Sequence, residues 1–457
     1  MKESTRDWMD RNLIFRRVLL PQIRNIEEPE EWQHFYYTQV LYYYGYNMYR
    51  EDGVETNKPR IIIFSGKGGV GKTTAAAATA LCCARQGLKT IVISVDIAHS
   101  LADAFQREID LHDRNRGKSV RIADNLWMQE VDIQEELEKH WGEVSKYLAA
   151  LLGASGMADT LAEELAIIPG MEDVVSLLYI NQYYREKTFD VIVVDCAPTG
   201  ESLRFVSMPS TLEWYIKKVF KLERNLMRVT RPIAKKLTDI PLPEDSYFAA
   251  LQDLFLKLDG VDDVLLDRDI TSVRLVTNAE KMVVRETQRA FMYFCLYGLV
   301  VDAIIVNRLF PRDLQDDYFK DWISTQQRSL EEINRIFDPI PLRKVPMLQD
   351  EVVGTDMLLK MGQIMYENLD PAALLYRESP YSVEQNNGNY ALKIKLPFIT
   401  KDYVDLMTED GNLVVRIGSF KRHVFLPRVL SGRKPGRASL EDNVLTISFS
   451  QEQGDYE

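Results

Sequence analysis

Ten consecutive residues, Ser65-Gly66-Lys67-Gly68-Gly69-Val70-Gly71-Lys72-Thr73-Thr74, bring together four glycines, two lysines and three hydroxyls. That set suits an anion. Gly66, Gly68, Gly69 and Gly71 admit backbone conformations closed to other residues and let successive N–H groups turn inward. The alanine-rich stretch from Thr73 to Gln86 reads as a strong helix ended by Gly87. The inward N–H groups therefore meet the positive end of a helix, where phosphate oxygens are favoured. Within this cradle Lys72 would reach the β- and γ-phosphates of a nucleotide, and the Thr73 hydroxyl would hold Mg2+.

Other residues able to do chemistry stand at the ends of apolar runs. Ile61 to Phe64 reads as a buried strand leading into the loop, and Leu88 to Val95 as a second strand that delivers Asp96. A helix separates the two, so they run parallel, and Asp96 reaches the carboxyl edge of the sheet, where ligands sit in open α/β folds. Val191 to Val194 is a third such strand, ending in Asp195-Cys196-Ala197-Pro198-Thr199-Gly200. Val273 to Val276 and Ala303 to Val306 continue the pattern, the latter ending at Asn307. The expected fold is α/β, a doubly wound and mostly parallel sheet.

The string Lys67-Gly68-Gly69-Val70-Gly71-Lys72-Thr73-Thr74, the Asp96 to Phe105 segment and the Asp195 to Gly200 segment together resemble the ArsA/GET ATPases. These belong to the class of phosphate-loop enzymes with an additional early lysine. The resemblance implies a homodimer with ATP at its interface, Lys67 crossing to the partner's phosphates as an arginine finger would. It implies that Asp96 orients the attacking water, that Asp195 holds Mg2+ through water, and that Gly200 brings a backbone N–H to the γ-phosphate. Lys67, Lys72 and Asp96 are then the catalytic candidates, and Thr73, Asp96 and Asp195 the Mg2+ candidates. Asn307 matches the asparagine that reads adenine, with a plain turn former as its alternative. Val345-Pro346-Met347-Leu348 resembles the adenine loop, which makes Pro346 and Met347 nucleotide candidates. Glu280 lies in a stretch similar to the family's nucleotide-proximal region. Two departures stand out: Ile97 and Cys196 replace the family's proline and threonine. His99 reads as a helix-start or packing residue, since the hydrolysis needs no histidine.

The elements around these residues divide the chain into an N-terminal helical extension over 1–57, an ATPase domain over 58–375 and a β-sandwich over 380–457. Within the ATPase domain, helical segments over about 127–185 and 205–270 match the family's α-helical subdomain. Ile133, Leu137, Trp141, Val144, Leu148 and Leu152 form one apolar stripe, and Leu161, Leu165 and Ile168 a second. Val219, Leu222, Leu226, Val229 and Ile233 form another, opposite a basic face from Lys217 to Lys235 that suits a membrane surface, a partner helix or plain solvation. Seven tyrosines between Tyr36 and Tyr49 mark a packed helix or a partner-binding arm. After the linker Pro371 to Pro380 the pattern alternates with period two, with turns at Asp410-Gly411 and Asp442-Asn443. This part resembles the α-crystallin domain of small heat-shock proteins. Its position beyond the ATPase motifs leads to the expectation that removing it leaves the core intact.

Composition narrows the partners. At 457 residues and 46% hydrophobic content the chain can bury a large core, and 68 carboxylates against 56 basic residues argue against nucleic acid. The longest apolar run, Phe291 to Val301, is too short to cross a membrane. Four cysteines without C-x-x-C spacing point to a reducing, cytoplasmic setting with no zinc. Cys82 and Cys83, adjacent on a helix, read as buried small residues unsuited to arsenite, which needs converging thiolates. The expected function is thus an ATPase that handles a hydrophobic, tail-anchored or transmembrane-type client, with a possible membrane receptor. The alternatives are the ATPase of an arsenite or anion pump, and a positioning ATPase of the MinD/ParA kind.

Overall fold

The computed structural model describes residues 58–96, 100–107, 117–131, 171–215, 245–311, 314, 317–386, 389–409, 412–418, 420–424, 430 and 433–450. The N-terminal extension with its tyrosines, Ile97, His99, the stripes over 133–168 and 217–235 and the turn at Asp410-Gly411 lie outside them.

The apolar runs become the inner strands of an eight-stranded sheet of order β3-β4-β2-β5-β1-β6-β7-β8. These strands are β1 (Arg60–Ser65), β2 (Thr90–Ser94), β3 (Val120–Ala123), β4 (Leu126–Glu130), β5 (Val191–Asp195), β6 (Thr271–Asn278), β7 (Val301–Leu309) and β8 (Leu342–Pro346). Only the β3–β4 pair is antiparallel. The near-uniform apolarity of β1, β2 and β5 follows from burial on both faces. One layer holds α1 (Lys72–Arg85), α2 (Ser100–Ala104) and α9 (Gly354–Tyr366). The other holds α3 (Met171–Glu186), α4 (Thr199–Tyr215), α5 (Asp245–Leu258), α6 (Val261–Leu266), α7 (Lys281–Leu296) and α8 (Asp317–Phe337).

One boundary is corrected. Trp127 does not open the expected helical segment, because Leu126–Glu130 pairs in register with β2. Its polar Gln129 is buried there because its amide donates to the Gly117 carbonyl at 2.6 Å and accepts from the Tyr183 hydroxyl at 2.8 Å.

At the opposite, amino-terminal edge two arginines fix the segment that leads to the β-sandwich. Arg274 is fully buried and donates to the carbonyls of Pro371 at 2.7 Å and Ala373 at 2.8 Å and to the Tyr366 hydroxyl at 2.7 Å. Arg60 donates to the Ala372 carbonyl at 3.1 Å. Asp302, also fully buried, pairs with Arg274 at 3.3 Å and Arg60 at 3.4 Å and accepts the Leu375 N–H at 3.3 Å. One carboxylate thus serves two guanidiniums, and carbonyl and hydroxyl oxygens satisfy their remaining N–H groups, as buried ions require.

The β-sandwich packs a four-stranded sheet, β14-β15-β10-β9, on a three-stranded one, β11-β12-β13. Its strands are β9 (Tyr381–Asn386), β10 (Asn389–Lys395), β11 (Val404–Glu409), β12 (Asn412–Ile417), β13 (Phe420–Val424), β14 (Lys434–Glu441) and β15 (Val444–Ser450). Asp442 and Asn443 both take positive φ, 48° and 61°, as a two-residue hairpin between β14 and β15 requires.

The sandwich is not a detached appendage. Its core includes Met292 and Leu296 of α7, the Tyr381 hydroxyl donates to the Leu296 carbonyl, and Phe398 packs 6.3 Å from Phe291 and 6.4 Å from Phe337. Arg422 lies 4.9 Å from the centre of the Tyr297 ring. Ending the chain at Pro380 uncovers Met292 and Leu296, which are 4% and 0% exposed. The expected result is a melting temperature lower by several degrees with ATPase turnover kept at low temperature. An unchanged melting curve would show that the shared core carries no stability.

Candidate active site

The glycine loop turns between β1 and α1 at the carboxyl edge of the sheet. Gly66 cannot carry a side chain, since a Cβ there would run into the Val276 carbonyl of β6. Gly71, at φ 94°, closes the loop as the cap residue of α1, and its carbonyl accepts the Ala75 N–H at 3.0 Å. Lys72 is 7% exposed and its Nζ lies 3.4 Å from the Lys67 carbonyl, folded over the cradle it would share with phosphates. Pro198 touches the loop from the β5 side, 3.9 Å from where a Gly68 Cβ would sit. Thr199 and Gly200 begin α4 immediately behind it.

Polar groups with no partner gather here. Ser65 Oγ, both carboxylate oxygens of Asp195, Thr199 Oγ1 and Asn278 Oδ1 are buried without a hydrogen bond. Such atoms are rare and costly unless something fills the space between them. Burial pushes the Asp195 carboxyl up to about 7, while Thr73 and Lys72 pull it down and Asp96 and Glu130 add to the rise. Thr73 Oγ1 lies 3.2 Å from Ser100 Oγ. Asp96 follows β2, its N–H donating to Ser94 Oγ at 3.3 Å. A hydroxyl, a buried carboxylate and two more carboxylates close by fit a hard divalent cation. Mg2+ typically takes one or two protein ligands and completes its shell with phosphates and water. The described residues contain no cluster of three or more His, Cys, Asp or Glu side chains that would hold a metal without such help.

The expected adenine residues also converge. Asn307 and Arg308 lie in β7, Pro346 ends β8, and Leu309 pairs with Pro346 in register. The Met347 N–H donates to the Leu309 carbonyl at 2.8 Å, and its side chain is 46% exposed. The Asn307 amide, however, also braces the glycine loop, donating to the Val70 carbonyl at 2.9 Å and accepting the Arg308 N–H at 2.9 Å. It has one further N–H and one further lone pair for a base.

Three residues here escape a reading of the sequence. Arg308, at φ 55°, donates to the Gly69 carbonyl at 3.0 Å, so two outward-facing loop carbonyls are held from β7. Its position directly after a strand-end asparagine was the available signal. Glu286 on α7 lies 3.9 Å from Lys67 Nζ, whereas Glu280 is an exposed cap residue of α7. Glu130 ends β4, and reading that strand to its end would have placed a carboxylate at the ligand-binding edge.

A family model described as anion-transporting ATPase matches residues 59–367, and one described as an HSP20-like domain found in ArsA matches residues 387–449. The chain is 47% identical over 395 residues to "Putative arsenical pump-driving ATPase 1" of Aquifex aeolicus, covering 86% of this chain and all of that protein. A protein of Chlorobaculum tepidum, also carrying an arsenical pump-driving ATPase name, is 36% identical over 86% of this chain and 96% of its own. ATPase get3 of Aspergillus niger is 29% identical over 67% of this chain and 90% of its own.

Proposed function

This chain belongs to the ArsA ATPase family, and we propose that it is a homodimeric, Mg2+-dependent ATPase. In this reading, ATP binding and hydrolysis drive capture and release of a hydrophobic, tail-anchored or transmembrane-type protein client. Lys72 and the loop N–H groups hold the phosphates, Lys67 reaches across to the partner's site, and Asp96 orients the attacking water. Thr73 and Asp195, with Asp96 beside them, hold Mg2+, which when bound neutralises charge on the transferred phosphoryl group. Asn307, Pro346 and Met347 take the adenine.

The observation that carries the choice of client is the state of the thiols. A soft arsenic centre asks for converging thiolates. Cys83 lies in the α1 layer, whereas Cys196 and Cys295 lie in the opposite one. Burial pushes Cys82 up to about 11 and Cys83 and Cys295 up to about 12, and it raises Cys196 further. Each is therefore a protonated thiol at neutral pH. All four are unpaired, which supports a cytoplasmic setting.

The pump reading has its own support in the names of the bacterial relatives at 47% and 36% identity. One experiment separates the two. ATPase rate is measured with a tail-anchor peptide and with arsenite, and peptide capture is compared between wild type and Leu222→Asp/Leu226→Asp. Peptide-dependent turnover, with capture lost in the double variant, is expected. Stimulation by arsenite with no peptide capture would transfer the assignment to a pump ATPase.

A further inference from the structure

Glu130 is 8% exposed and ends β4 directly opposite Ser94 of β2, the strand that delivers Asp96. Its Oε1 accepts the Leu101 N–H at 3.1 Å and the Ala102 N–H at 2.9 Å. These belong to the first turn of α2, whose N–H groups have no partner within the helix. A carboxylate at that end is favoured by charge as well as by hydrogen bonding. Ser100, the residue that opens α2, stands with its Oγ 3.2 Å from Thr73 Oγ1. One rung of the sheet thus carries two things toward the loop: Asp96 along β2, and the start of α2 through Glu130.

We propose that Glu130 is a positioning residue for ATP hydrolysis, its carboxylate clamping the first turn of α2 so that the Ser100 hydroxyl is set against the Thr73 hydroxyl. Leu101 and Ala102 are 0% and 4% exposed and pack in the α1 layer, so α2 stays anchored when Glu130 is removed. What is lost is the fine register of its first turn. A displacement of about 1 Å in a residue that orients reacting groups can cost roughly 10²-fold in rate. Glutamine keeps an oxygen acceptor in the same place without the charge, and alanine keeps neither.

This inference rests on reading the loop edge as the hydrolytic centre, and it is independent of the dimer and the client. The test uses the full chain as wild type, Glu130→Gln, Glu130→Ala, Ser100→Ala and Glu130→Ala/Ser100→Ala. Hydrogen exchange of the Leu101 and Ala102 amides is followed in nucleotide-free protein, and steady-state ATPase is followed against ATP and against Mg2+. Glu130→Ala is expected to lose protection at those two amides, and its kcat to fall about 10²-fold with KM for ATP within about 3-fold. Glu130→Gln should recover most of the rate. The double variant should be no slower than the slower single one, because the two residues act through one arrangement.

Unchanged exchange at 101 and 102, an unchanged kcat in Glu130→Ala, or losses that multiply in the double variant would each overturn the proposal. If Glu130→Ala does not fold, Glu130→Met, which fills the same space without an oxygen acceptor, replaces it alone and in the double variant with Ser100→Ala, and the same outcomes decide. A wild-type chain without Mg2+-dependent ATPase would instead refute the site itself.

Discussion

Replacing Lys67 by alanine should slow ATP hydrolysis by about 10³-fold or more while leaving nucleotide binding measurable, whereas Lys72→Ala should lose both. The two lysines of one loop differ in placement. Lys72 is buried over its own cradle, while the Lys67 side chain is 39% exposed and turns outward to Glu286. An ion pair at that exposure is worth at most about 1 kcal/mol, so Glu286 holds Lys67 loosely enough for it to be drawn to a partner's phosphates. Mixing the two inactive variants separates action in trans from action in cis. A mixed dimer has one site with an intact Lys72 that receives Lys67 from the other subunit, so activity should return in the mixture. Normal turnover by Lys67→Ala alone, or a mixture that stays dead although heterodimers form, would end the trans role.

Asp195→Asn should lower hydrolysis by about 10³-fold and at the same time stabilise the nucleotide-free protein at neutral pH. The carboxyl is raised from 3.8 to about 7 in the fold. Between those values the folded protein keeps a proton that the unfolded chain has released, so this group lowers stability progressively as pH rises through the window. Above about 7 the penalty is constant, bounded by the gap at about 4 kcal/mol. The variant's melting temperature should therefore match wild type near pH 4, exceed it increasingly up to pH 7, and stay ahead by a fixed margin beyond. Adding Mg2+ and nucleotide should raise the melting temperature of wild type more than that of the variant. A variant that melts below wild type at pH 8 without ligand would contradict the account of Asp195 as a carboxylate whose burial outweighs the pull of Thr73 and Lys72.

The inner sheet was legible because burial on both faces leaves an unmistakable trace, the runs Ile61 to Phe64 and Val191 to Val194. β4 was not, because Gln129 and Glu130 break the apolar run, and each is accommodated by a partner distant in sequence. Gln129 needs Gly117 and Tyr183, and Glu130 needs α2. The family's loop and strand-end residues could be named in advance because they fall within short strings. The groups that brace them could not: Arg308 and Glu286 are ordinary surface residues until β7 and α7 lie beside the loop. The shared core of the sandwich was hidden for a similar reason. Met292 and Leu296 belong to a helix that already has an apolar face toward the sheet, and nothing in their spacing says that a second surface covers them.

Arg60 stands at the start of the first core strand, and the Ala372 carbonyl that receives it lies 312 residues later. At about 5–20 residues per second, synthesis takes roughly 15–60 s to span that interval. Before that the Arg60 guanidinium meets the Ile270 carbonyl and the Ser272 hydroxyl, 210 and 212 residues on. Asp302 follows and Pro371 to Leu375 come last, so the sheet's amino-terminal edge can close only when the ATPase portion has been made in full. A ribosome stalled before residue 371 would display a sheet whose amino-terminal edge is still uncovered, its arginines short of the Pro371, Ala372 and Ala373 carbonyls, a substrate for holding chaperones rather than a premature ATPase.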